Sequence, residues 1–262
     1  MNLLKRAAVA MASAALITGA AGIAAGPAFA TGQPNQSCQA ESASPGHASS
    51  APGSAFNEDP GGVAGANYAG SGPHSVQNAG SGHPVVNLEI QTVAAVGPKL
   101  SQNPDWVSYL VKDNGQWKRK TVWDLPAHAT INVTIYNFDG ASALRNPFYA
   151  RPQGMVGNRI MVDGQPVDHI DPNDASHTFA VPALGIILAI PGVTDDAKNQ
   201  CGYAPCQMSN AHRTIKFTFH TTTPGHFRWQ CFVPCAAGWI DGFGGPMQTI
   251  GYMDGFLNVK AA

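Results

Sequence analysis

From Val85 onward, apolar and polar residues alternate in short runs, the period of a half-buried β-strand. VVNLEIQTVAAV, beginning at Val85, is rich in branched residues, and HATINVTIYNF at 128–138 places Ile131, Val133 and Ile135 on one face. WVSYLV, KTVWDL, RIMVDG, HTFAVP, TIKFTFHT, HFRWQC and GYMDGFLNVK carry the same strand signature. Turn pairs punctuate them: Asn114-Gly115, Asp139-Gly140, Asp163-Gly164, Pro191-Gly192 and Pro224-Gly225. No stretch combines helical periodicity with caps. Many short strands divided by turns over about 180 residues predict an all-β Greek-key sandwich or barrel.

The pattern is absent upstream. Lys5 and Arg6 precede a small-residue apolar stretch, Ala7 to Ala25, and AFA at 28–30 has the small-x-small form cut by signal peptidase. Residues 1–30 are therefore expected to be a signal peptide, with the mature chain starting near Thr31. An uncleaved anchor is the alternative, but Gly19, Gly22, Gly26 and Pro27 make a poor span. Residues 31–84 are dominated by Gly, Ser, Ala, Pro and Asn and are expected to form a flexible tail, with Phe56 and Tyr68 able to dock on the folded part. The folded domain is expected over 85–262. With no second run of membrane length, the expected location is secreted, periplasmic or cell-surface, without stable membrane insertion after cleavage.

Charge removes some function classes. A formal net charge of -1 and a pI near 6.7 give no general electrostatic reason to bind nucleic acid or acidic lipid. The longest basic run, Lys118 to Lys120, lies between Trp117 and Trp123 and reads as a solvated loop or edge strand.

An exported chain is free to form disulfides. Cys201 and Cys206 in CGYAPC, a loop with Gly and Pro, are expected to form one, leaving Cys38 as the odd residue in the tail. Cys231 and Cys235 in RWQCFVPC have two readings, a disulfide closing a very short loop or a pair of metal ligands. His177 opens one strand-like run, Cys231 ends another and Met253 begins the last. An imidazole and a thiolate in plane with a thioether as weak axial ligand make a soft copper site. His128, His169, His212, His220 and His226 read as solvated or packing residues, and Met247 as a softer ligand candidate. No His-x-His cluster and no nucleophile elbow is present, so an electron carrier or copper-binding protein is expected rather than a catalyst.

SHTFAVPALGIILAIPG at 176–192 and PGHFRWQCFVPC at 224–235 resemble two motifs of the soluble copper domain of cytochrome c oxidase subunit II, in the family's order, and MDGFLNV resembles its end. The resemblance spans roughly residues 122 to 259. It implies a cupredoxin fold, with copper as cofactor held by His177, Cys231, Cys235 and Met253, in one-electron transfer or copper holding and delivery with a redox or copper-transfer protein partner. One departure bears on the metal. The family's second His, four residues after the second Cys, is Trp239 here, and the enlarged loop from Ala236 to Tyr252 contains no histidine. The family's carboxylate between the cysteines, which lends a backbone carbonyl, is Val233. Two sulfurs with one imidazole favour Cu(I) over a normal binuclear centre. The competing reading is a metal-free interaction module with a Cys231–Cys235 disulfide, presenting Trp239, Ile240, Phe243 and Tyr252 to a partner.

Overall fold

The computed structural model describes residues 76–78, 82–236 and 238–261. The expected signal peptide and nearly all of the expected tail, with Cys38, Phe56 and Tyr68, lie outside the described residues.

Among the described residues thirteen strands form: β1 Val76–Asn78, β2 Pro84–Val93, β3 Ser108–Asp113, β4 Gln116–Lys118, β5 Val122–Pro126, β6 Thr130–Asn137, β7 Ile160–Val162, β8 Gln165–Val167, β9 Ala175–Val181, β10 Ile186–Pro191, β11 Arg213–His220, β12 Gly225–Gln230 and β13 Asp254–Lys260. Helical structure there is confined to short 3-10 turns. One sheet runs β4-β3-β2-β6-β11-β7-β8 with β1 on β2, and the other runs β10-β9-β12-β13-β5. Pairing is antiparallel except for β2 with β6 and β13 with β5. The strands from the 85–121 region thus belong to the sandwich, and Val76–Asn78, inside the segment expected as tail, pairs with β2.

The predicted face of β6 is the observed one. Ile131, Val133 and Ile135 are buried, alternating with half-buried polar neighbours. The core between the sheets is aromatic. Trp123 of β5 stacks on Trp229 of β12 at 5.0 Å, and Tyr109 of β3, from the facing sheet, meets Trp229 at 4.7 Å. Each such ring removes about 150–250 Å² from water, worth on the order of 4–6 kcal/mol. The polar tips are satisfied: Trp229 Nε1 donates to Thr121 O at 2.9 Å, and Tyr109 Oη donates to Thr178 O at 2.8 Å, one residue past His177.

Two features fix the end of the sandwich that matters below. Asn137, at the end of β6, accepts from Thr92 Oγ1 at 2.6 Å and donates to Pro191 O at 2.8 Å, stapling one sheet to the other. Gly255 lets β13 approach β5 closely: a Cβ there would stand 1.9 Å from Thr121 O.

Candidate metal centre

His177 occupies β9, a strand in which all seven residues are buried. Period-two alternation disappears because β9 lies between β10 and β12 within its sheet and is covered on both faces. Cys231 follows the last residue of β12, and its N–H donates to Met253 O at 3.1 Å, extending the β12–β13 pairing by one rung. Cys235 comes next, in the turn that leaves the strand.

The three donors converge. His177 Nδ1 is 3.1 Å from Cys235 Sγ, the two sulfurs are 3.4 Å apart, and all three ligand atoms fall within 4.8 Å of one another. The sulfurs are held by backbone: Thr178 N–H donates to Cys231 Sγ at 3.3 Å, while Val233 O lies 3.2 Å from Cys235 Sγ and 3.9 Å from Cys231 Sγ. Val233 therefore brings a carbonyl to the cluster from the position where the resembled family has a carboxylate residue, since the backbone carbonyl does not depend on the side chain. Phe232 N–H donates to Thr178 Oγ1 at 2.7 Å, tying the turn to β9.

Asp139 completes the group, and in the sequence only an Asp-Gly turn pair marks it. It follows β6 in the facing sheet, and its Oδ2 lies 3.2 Å from His177 Nε2. That nitrogen is fully buried, and the approach is off the line of a hydrogen bond, so the two groups are close enough for charge pairing without a well-formed bond. The other oxygen, Oδ1, accepts from Gly140 N–H at 2.8 Å, and Asp139 O accepts from Val193 N–H at 2.9 Å, so the carboxylate is fixed.

Burial lowers the His177 pKa, but Asp139 and Cys231 outweigh it and the pKa is raised to about 9. For Cys231 burial acts to raise the pKa, yet the hydrogen bond with Cys235, the His177 imidazole and the Thr178 N–H bring it well below the ordinary thiol value. Cys235 is pushed well above that value by burial and by the charge of Cys231. Without a metal, the surroundings thus favour the charged forms of His177 and Cys231 and the neutral form of Cys235.

The other expected residues divide. Cys201 and Cys206 form the expected disulfide, and Gln91 Nε2 donates to Cys206 O at 2.9 Å, linking that loop to β2. Met253 is fully buried one residue before β13, with its carbonyl on Cys231. His226 is exposed and stacks on Phe256 at 4.0 Å, and His212 packs on Phe138 at 5.2 Å. Trp239 is 48% exposed and lies edge-on to Trp106 at 5.9 Å, where the resemblance would place an imidazole.

The fold and site together define a class: an all-β, cupredoxin-like sandwich with a His-Cys-Cys cluster at one end. No protein-family model matches the chain, and no curated protein matches it. Among solved structures the chain is similar to the copper protein rusticyanin at 20% identity, covering 67% of this chain and 78% of that one, with a TM-score of 0.27. Rusticyanin from Thiobacillus ferrooxidans matches at 20% identity over 67% and 77% of the two chains, TM-score 0.26. A multicopper oxidase matches at 12% identity over 73% of this chain and 48% of its own, TM-score 0.33. Superpositions this loose add nothing to the assignment, which rests on this chain's own strand order and cluster.

Proposed function

We propose that this is an exported copper-binding protein that holds Cu(I) between Cys231, Cys235 and His177, with Met253 as a weak axial thioether, and serves copper holding and delivery or one-electron transfer. The observation that carries it is the convergence of two sulfurs and one buried imidazole within 4.8 Å. Separations of 3.1 and 3.4 Å are short enough for these side chains to share one soft ion if it were bound. The His177 nitrogen nearest the sulfurs is the coordinating candidate, while the opposite nitrogen faces Asp139, the arrangement that orients a metal-bound imidazole and raises its basicity. When bound, copper supplies a soft acceptor for sulfur and a one-electron couple. The protein's part is to fix the imidazole, hold two thiolates at one point and exclude bulk water from Cys231.

The N-terminal segment supports export, and among the described residues no helix is long and apolar enough to cross a membrane.

The test is metal analysis of reduced protein purified with copper, alongside a zinc control. One or two coppers per chain are expected, with thiolate-to-copper absorption on oxidation, and Cys231→Ser should abolish both. Metal-free protein whose mass shows Cys231 linked to Cys235 would establish the interaction-module reading instead. N-terminal sequencing of exported protein should begin near Thr31.

A further inference from the structure

The two thiols are not equivalent in access. Cys231 is 2% exposed and enclosed in the core, whereas Cys235 is only half-buried and lines a cavity of about 240 Å³. The cavity walls include Asp105, Trp106, Asp139, Ser142 and Trp239, and none of the described side chains lining it is basic. Trp106 is pinned between Trp239 at 5.9 Å and Tyr252 at 4.7 Å. Asp105 is exposed, with Oδ1 accepting from Tyr203 Oη at 3.0 Å, and Asp139 stands deeper, against the unbonded Nε2 of His177.

Two carboxylates and two indoles around an opening attract a cation and repel an anion. A soft sulfur at the inner wall then offers the cation a better ligand than water or carboxylate. Resting on the copper-binding reading above, we propose that this cavity is the port through which a small cationic Cu(I) complex loads and unloads, with Cys235 as the exchanging thiol and Cys231 as the enclosed anchor. Loading is a ligand exchange. The bond from copper to its carrier would break as the bond to Cys235 Sγ forms, the Cys235 thiol proton and the proton on the coordinating nitrogen of His177 would pass to solvent, and no electron would change hands. The same charge arrangement disfavours withdrawal by bulky anionic chelators, so the site would discriminate by carrier charge as well as by affinity.

The test uses the mature, reduced, metal-free protein and Cu(I) supplied as its cationic acetonitrile complex. Stopped-flow loading should slow in Asp105→Asn and further in Asp105→Lys, by about tenfold at low ionic strength. The difference should fade with added salt. Final stoichiometry and equilibrium affinity should stay within twofold of wild type, because Asp105 is not a ligand. Iodoacetamide on the metal-free protein, at a pH high enough to ionise both thiols so that access rather than thiolate fraction sets the order, and mapped by mass spectrometry, should label Cys235 well before Cys231. Equal loading rates for wild type and Asp105→Lys, with normal final copper content, would overturn the port and leave copper binding intact. Labelling of Cys231 first or at the same rate would overturn the assignment of the exchanging thiol. Wild-type protein that takes up no copper under any condition would remove both the port's cargo and the function it rests on.

Discussion

Asp139 and His177 face one another across the two sheets, carboxylate Oδ2 to imidazole Nε2 at 3.2 Å. Neither strand alone positions the pair. β9 fixes the imidazole, and the turn after β6, stapled by Asn137 to Pro191, fixes the carboxylate. An inter-sheet contact therefore sets both the charge and the orientation of the cluster's only nitrogen donor among the described residues.

In the reduced, metal-free protein, His177 is expected to titrate near pH 9, and Asp139→Asn to bring it down toward its ordinary value of 6.5. Burial alone would depress it, and Asp139 is the first of the groups that reverse this. Because the folded pKa is raised, the His177 share of stability is complete below pH 6.5 and is lost as pH rises through about 9. NMR titration of the imidazole carbons reads the shift directly. With copper bound, the same substitution should weaken affinity by about 10- to 100-fold.

Met253→Leu should preserve copper stoichiometry while changing the absorption spectrum, since a weak axial thioether tunes a site more than it holds it. Competition with a chelator should show a much smaller affinity loss than Cys231→Ser. An unchanged spectrum and affinity would remove Met253 from the ligand set.

Gly255→Ala should destabilise the fold, because the new methyl meets Thr121 O at 1.9 Å where β13 runs beside β5. Overpacking of this kind costs about 1–3 kcal/mol, enough to lower the melting temperature by several degrees. Thermal unfolding of the metal-free protein checks it.

Replacing Cys201 and Cys206 together by Ser opens a loop with a sequence separation of 5. The chain-entropy relation gives a loss of about 2 kcal/mol for so short a loop. Denaturant unfolding should show it, while copper content stays at the wild-type level because neither cysteine is among the converging donors.

Much of this was legible in the residues. Alternation in TINVTIYN marked β6 and its buried face, and the strings around His177 and Cys231 marked the strands that meet at the cluster. What the sequence concealed arises from contacts between distant segments. Asp139 stands in an Asp-Gly turn, where an acid is an ordinary turn former, and only the closing of one sheet over the other brings it to His177. The unequal exposure of Cys231 and Cys235 depends on how the enlarged loop folds back, with Ala236 N–H donating to Gly242 O at 2.9 Å and Arg145 Nη2 donating to Asp241 O at 2.9 Å. Nothing in CFVPC distinguishes the two sulfurs. The Val233 carbonyl was legible by position, because any residue there carries one.

The seven buried residues of β9 leave the imidazole no space to swing, whereas Cys235 hangs from a turn whose neighbours Trp239 and Ile240 are 48% and 80% exposed. The cluster thus has one closed wall and one that borders exposed side chains. A change in the cluster's charge, whether gain of an ion or oxidation of the sulfur pair, therefore meets a sealed strand on one side and reaches solvent first on the Cys235 side.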